Sequence, residues 1–309
     1  MVALGQARDL LAIRLLVIAV GFIGEIYRPA VAAIVSDVVE PAKRQVAFGY
    51  LYWAVNLGFA AASAIGGLLA DHDFQLLFYF DAATTAAYGL IVAFYVPETR
   101  PANPPARDPE VVAAESPWRD PQLLLLVLLG FASAFMILQI GAPLSAHMTW
   151  QGFAPSTYGF VMAGNGVLIV LLQPRLSRWS AQHDASRVLA GASLLFGVGM
   201  LAHGLAPIAL AHLAAVAIWT TGEILDSPTK SAVLAGLAPT HARGRYQASM
   251  VFAWGLAQIA APKLGTWIWE YAGHGVLWGG CFGLSIGVAA LYLATGPSRR
   301  RRLATAKPP

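Results

Sequence analysis

An all-α, polytopic membrane protein is the fold class this sequence predicts, and three observations carry it. Of 309 residues, 57% are hydrophobic and only 12% are charged, about half the charged share of an ordinary soluble domain. Apolar runs of roughly 18 to 28 residues recur along the chain, each long enough for a helix to cross about 30 Å of hydrocarbon. Alternation with a period of two residues is nowhere sustained, which argues against a transmembrane β-barrel.

About nine spans follow, in order. Run 11–38 is apolar except for Glu25 and Arg28 before Pro29, and run 45–70 is aromatic-rich, reading VAFGYLYWAVNLG. Run 75–96 ends at Pro97. Run 121–146 opens on the leucines of QLLLLVLLG, and 157–175 stops at QPR. Runs 186–205 and 208–235 follow, the second holding GEILDSP. Run 245–270 ends among Trp267, Trp269 and Tyr271, and 275–295 stops just before a block of four arginines. The many Gly and Ala residues in these runs suit close helix packing in lipid.

Charge sets the orientation. Lys43, Arg44, Arg175, Arg178, Arg187, Arg243 and Arg245 occupy short loops on one side, together with Arg100, Arg107, Arg119, Arg299 to Arg302 and Lys307. That is fifteen of the twenty basic residues, against Arg8 and Arg14 on the other side. The positive-inside rule makes the first side cytoplasmic, with the C-terminus there, and places the chain in the cell (inner) membrane. The positive charge serves this leaflet preference and does not point to nucleic acid. Residues 97–120, with their repeated prolines, read as a cytoplasmic linker. The expected organisation is therefore 1–96 with three spans, the linker 97–120, 121–296 with six spans, and a basic tail 297–309. The lone Cys281 excludes an internal disulfide and reads as packing.

A repeat underlies these spans. From Gly24 the chain runs GEIYRP, AVAAIVSDVVEP, AKRQ, VAFGYLYWAVNLG; from Gly222 it runs GEILDSP, TKSAVLAGLAP, THARGR, YQASMVFAWGLA. Trp53 lies nine residues after Arg44, and Trp254 nine after Arg245. The offset, about 198 residues, spans six helices, the parallel repeat from which two-bundle secondary transporters are built. By this symmetry, three helices are expected to precede residue 11.

These motifs resemble the major facilitator superfamily, and within it the drug:proton antiporter-like bacterial members, over helices four to twelve of twelve. The resemblance covers essentially the whole chain. It implies a two-bundle fold with an incomplete N-terminal bundle and secondary transport by alternating access. The implied function is proton-coupled efflux of small amphipathic molecules, with a small-molecule substrate, protons and the lipid bilayer as partners. A sugar or peptide symporter of the same superfamily is an alternative. So is a non-transporting remnant or interaction protein, since a chain lacking three helices is expected to transport poorly alone. The chain departs from the family pattern at Ser63, where AASAIGG lacks the expected proline, while Pro262 keeps it in the second copy.

Charges inside a membrane cost a few kcal/mol each on insertion scales, so those present face a cavity or a partner. Glu223, Asp226 and Lys230 follow i, i+3, i+7 and share one helix face. A carboxylate in a partly dry cavity can exchange a proton near neutral pH, as proton coupling requires. The plain alternative is an Asp226–Lys230 pair that stiffens packing. Glu25 and Asp81 are further proton-coupling candidates, and Arg28 forms either a gate pair or a local ion pair with Glu25. Lys263 is placed to attract an anionic substrate or to pair with Glu223. Asn56, Gln139, Asn165 and Gln258 are polar at mid-helix depth. Tyr52, Trp53, Phe131, Phe135 and Trp254 are candidates for an aromatic cavity wall, whereas Trp150, Trp267, Trp269 and Tyr271 read as an interfacial belt. An enzyme is not expected. SPTK at 227–230 lies inside a membrane helix without its companion motifs, and Walker A, H-E-x-x-H and C-x-x-C patterns are absent, so no cofactor or metal is implied.

Overall fold

At the depth of the acyl chains no water is available to the backbone, so a spanning segment must close its own hydrogen bonds. The apolar runs do this as helices. A computed structural model of the protein describes residues 1–25, 31, 44–96, 117–238 and 243–305, where regular structure is α-helix with short 3-10 turns. Among the described residues, six segments are long and apolar enough to cross a membrane: Trp53–His72, Phe74–Tyr95, Pro121–Trp150, Pro155–Ala181, Ala185–Leu205 and His274–Arg302. The protein is a multi-pass membrane protein. Ala209–Leu237 and Arg243–Tyr271 have the length too, 29 residues each, but carry the charged side chains that set them apart. Leu10–Gly21 is apolar but shorter, and residues 26–30 and 32–38 of the first expected span, Arg28 among them, lie outside the described residues.

Two compact units divide the chain, Met1–Ala106 and Arg107–Pro309. The first contains α1 (Val2–Gln6), α2 (Leu10–Glu25), α3 (Arg44–His72) and α4 (Phe74–Tyr95). Asp73 alone joins α3 to α4. Its backbone is extended and its side chain accepts from the Gln75 amide at 2.9 Å, capping α4. The α3 helix has the same 29-residue length as Arg243–Tyr271, as the sequence repeat requires of its second element.

The second unit holds α5 (Pro121–Ile137), a 3-10 turn (Leu138–Ile140), α6 (Ala142–Trp150), α7 (Pro155–Ala181), α8 (Ala185–Leu205), α9 (Ala209–Leu237), α10 (Arg243–Tyr271) and α11 (His274–Thr305). Asp120 caps α5 through the Gln122 and Leu123 amides, and Asp184 caps α8 through the Arg187 amide. At the other end of the unit, Gly152 and Gly273 turn the chain with φ of 87° and 94°, values that glycine alone adopts freely. The α8 helix packs against both α9 and α11. Close approach is possible because Gly199 faces Trp219 and Gly197 faces Ser285; a Cβ at either position would overlap its neighbour.

Two apolar clusters form the core. One gathers Leu123, Leu126, Leu189, Val233, Leu237, Tyr246 and Tyr292 near the basic end. The other gathers Met136, Leu144, Phe196, Trp219, Leu277, Trp278 and Cys281 toward the opposite end. Cys281 is thus a packing residue, 3% exposed.

One boundary differs from expectation. The α11 helix runs through Pro297 to Thr305 and takes the arginine block with it. The two cap carboxylates explain this. Arg302 grips Asp120 through both guanidinium nitrogens at 2.6 Å, and Arg300 pairs with Asp184 at 2.9 Å. Arg299, 5% exposed, donates to Ser186 and Thr295.

Candidate functional site

Glu223 stands fourteen residues from each end of α9 (Ala209–Leu237). It lies between Trp219 of one apolar cluster and Val233 of the other, at mid-depth of the helix. Here α9 approaches α8 so closely that a Cβ on Gly222 would come within 2.8 Å of the Ala192 carbonyl oxygen. One turn later Pro228 interrupts the helix; lacking an N–H, it leaves the Ile224 carbonyl without its usual donor.

The charged face opens into a cavity of about 200 Å³ in the second unit. Glu223, Asp226, Lys230, Ser227 and Ser231 of α9 line one wall, and Ser133 of α5 and Gln247 of α10 add hydroxyl and amide groups. The rest of the lining is apolar and includes Ile137, Phe196, Met250 and Trp254.

The three charges are not equivalent. Lys230 Nζ donates to Asp226 Oδ2 at 2.6 Å, with each side chain 11% exposed. Glu223 has a neutral partner instead. The Asn165 amide, from α7, donates to Glu223 Oε2 at 2.9 Å and to Thr220 Oγ1 at 3.0 Å. Both amide hydrogens are used, so Asn165 fixes the carboxylate in either protonation state. Among the described residues no cation pairs with Glu223, while Asp226 keeps one buried oxygen, Oδ1, without a hydrogen bond. Such an orphan atom beside a cavity is a place for a ligand or water to bind.

Other candidates fall elsewhere. Gln139 is fully buried and donates to the Phe135 and Ala261 carbonyls, which makes it a tie between the 3-10 turn and α10. Gly265 is required opposite it, because a Cβ there would overlap Gln139 Oε1. Lys263 is exposed on α10 and does not line the cavity; the pairing with Glu223 suggested by sequence is replaced by Asn165. In the first unit, Asp81 and Trp53 are exposed and Asn56 is buried. The backbone of Glu25 is described but its side chain is not, and Arg28 lies outside the described residues. Trp254 lines the cavity; Phe131 and Phe135 pair with each other at 6.4 Å between ring centroids. Trp150, Trp267 and Tyr271 are exposed at helix ends as a belt requires, whereas Trp269 turns inward and donates to His147.

A polar clamp closes the basic end of this unit. Asp120 receives Arg302, the Tyr246 hydroxyl at 2.7 Å and two backbone amides. Burial by itself would raise its carboxyl, but the hydrogen bonds from Arg302, Tyr246 and Leu123 outweigh it and bring the value down to about 2. Asp184 is likewise lowered: burial opposes, and Arg300 and the Arg187 amide prevail.

Comparison with known proteins agrees with this architecture. The family model described as Major Facilitator Superfamily matches residues 3–153. A Na(+), Li(+), K(+)/H(+) antiporter of Planococcus maritimus is 25% identical over 78% of this chain and 64% of its own length. Multidrug resistance protein MdtH of Escherichia coli is 23% identical over 73% of this chain and 56% of its own. The chain therefore spans less than two thirds of these curated relatives. A crystal structure of a POT family transporter in complex with a thioalcohol conjugated peptide superposes with a TM-score of 0.79, covering 96% of this chain and 79% of that one at 16% identity. At that identity the likeness is one of fold.

Proposed function

We propose that the chain belongs to the major facilitator superfamily, whose family model matches residues 3–153, and that it works as a proton-coupled exporter of small amphipathic molecules, with Glu223 carrying the proton. One observation supports this above the rest: buried Asp226 and half-buried Glu223 share a cavity, and among the described residues only Asp226 has a cation. Asp226 is charge-balanced by Lys230. Glu223 is held by an amide that tolerates both its charged and its neutral form, so a proton is its natural counter-charge. A cavity lined both by charged groups and by the apolar Phe196, Met250 and Trp254 suits a substrate with one cationic end and one apolar body.

In this reading, protonated Glu223 leaves the cavity near neutral and favours release of a cationic substrate. Deprotonated Glu223 attracts it. Binding of proton and substrate is thus mutually exclusive, which is the requirement for antiport. Alternating access then exposes the site to each side in turn. The basic end, with Arg302 and Arg300, would face the cytoplasm of the cell under the positive-inside rule.

A second reading is exchange of a monovalent metal cation for a proton. The antiporter of Planococcus maritimus and the unpartnered Asp226 Oδ1 favour it. Everted membrane vesicles loaded with a pH dye distinguish the two. Ethidium should provoke proton release from energised vesicles containing the protein, and sodium or potassium should not. A response to the metal ions alone would favour cation exchange, and a response to neither would overturn both readings.

A further inference from the structure

Four of the seven histidines gather at the end of the second unit opposite its basic end, one each from α6, α8, α9 and α11. His147 lies 5.2 Å from His274 and 6.3 Å from His212, ring centre to ring centre, and His203 stacks on His212 at 5.2 Å. His147, His203 and His212 have no solvent exposure.

The hydrogen bonds fix where the protons are. An indole N–H can only donate, and Trp219 Nε1 sits 3.1 Å from His203 Nε2. His203 Nε2 must accept, so its proton is on Nδ1. That atom lies 2.9 Å from His212 Nδ1, which must accept in turn. The His212 proton is then on Nε2, 2.8 Å from Gln151 Oε1, and Gln151 Nε2 donates to the Ala206 carbonyl at 2.8 Å. Both rings are neutral, in opposite tautomers, and every bond points the same way, from α9 to α8, back to α9 and on to the residue after α6.

Such a chain has no place for another proton. Added at His203 Nε2, it would face the Trp219 N–H; added at His212 Nδ1, it would face the His203 N–H. Among the described residues no anion pairs with these rings. The titratable groups acting on these rings are one another and His274. From α11 the same apolar cluster also holds Cys281. From α10 comes Trp269, donating to His147, while its neighbour Glu270 is exposed. Three buried nitrogens around His147 (its own Nε2, His274 Nδ1 and Trp278 Nε1) lack hydrogen-bond partners, so the surroundings are short of acceptors as well.

We propose that the His203–His212–Gln151 chain is a second proton-binding site, a latch that joins the ends of α6, α8 and α9 when neutral and parts when a proton enters. His212 precedes Glu223 by eleven residues, about 16 Å along α9, so this site is separate from the cavity and does not depend on what the carboxylate does. Imidazoles released to water bind protons around pH 6.5, whereas the closed chain binds none. Acid therefore favours opening, with a shift of up to about tenfold per pH unit for each proton taken up.

Hydrogen–deuterium exchange of the purified full chain tests this at about pH 7.5 and pH 5.5, with intrinsic exchange rates corrected. Protection over 147–153 and 200–219 should fall by about tenfold or more on acidification, while 122–130 keeps its protection. A His203→Gln/His212→Gln variant can keep a one-way donor chain and takes up no proton, so its protection should not respond to pH. Nitrogen NMR of ¹⁵N-histidine-labelled wild-type chain gives a reading that is independent of the variant's folding. Near pH 7.5, one ring of the coupled pair should carry its proton on Nδ1 and the other on Nε2. Unchanged protection on acidification, a variant as pH-sensitive as wild type, or a cationic or same-tautomer pair would overturn the proposal.

Discussion

Replacing Glu223 by Gln removes one titratable proton from the cavity and little else. The glutamine amide oxygen can accept the Asn165 hydrogen bond now made at 2.9 Å, and the side chain fills the same volume. Stability should change by less than about 1 kcal/mol. Glu223→Leu is the contrast. It strands one hydrogen of Asn165, a residue only 5% exposed, at a cost of about 1–3 kcal/mol. The functional expectation runs the other way. A gradient of one pH unit supplies about 1.4 kcal/mol per proton, enough for about tenfold accumulation in a one-for-one exchange. In proteoliposomes with that gradient, a transport-competent protein containing this chain should accumulate ethidium about tenfold. The Gln variant should equilibrate it without accumulation while retaining substrate-for-substrate exchange. A Gln variant that accumulates ethidium like wild type would refute the assignment of the proton to Glu223.

Four further outcomes follow from the same geometry. Asp226→Asn or Lys230→Met alone should destabilise the protein by about 3–5 kcal/mol, because each leaves a buried charge unpaired, and the double substitution should recover much of the loss in a thermal-unfolding cycle. Asp120→Asn should lower the melting temperature through the lost Arg302 pairing and weakened cap, a loss of about 1–3 kcal/mol. Because the Asp120 carboxyl is lowered to about 2, its contribution is complete above the ordinary carboxylate value near 4, and the gap to the variant should close as pH falls from about 4 to about 2. Gly222→Ala should push α9 away from the Ala192 carbonyl, reducing transport even though Glu223 is untouched. An alkaline phosphatase fused to the C-terminus should be inactive, as expected of a cytoplasmic tail, and strong activity would reverse the orientation.

How far the sequence spoke depended on the range of the interaction. Glu223, Asp226 and Lys230 are related by the helix period, so their common face and the Asp226–Lys230 bond were legible from spacing alone. The repeat was legible for the same reason, and α3 and α10 share both length and aromatic register. What lies between helices was not. That Asn165 rather than Lys263 reaches Glu223 depends on the rotation of α7 and α10 about their axes, and no pattern in either run fixes this. Gln139 looked like Asn165 in sequence, a lone amide in an apolar run, yet one steadies a carboxylate and the other ties backbone carbonyls. The histidines carried no signal because 147, 203, 212 and 274 meet only through the order of four packed helices. The arginine block read as a free tail because its partners, Asp120 and Asp184, are more than a hundred residues away.

The central claim is that substrate movement and proton movement are opposite and obligatorily coupled. Its most direct test is simultaneous measurement of both fluxes in proteoliposomes holding a transport-competent protein that contains this chain, with a pH dye inside and ethidium as the transported probe. With no pH gradient imposed, an outward ethidium gradient should drive protons inward, and reversing the ethidium gradient should reverse the proton flux. Glu223→Gln should abolish the proton signal while ethidium still equilibrates. Ethidium flux without any proton signal in the wild-type protein, or proton flux in the same direction as ethidium, would contradict the account.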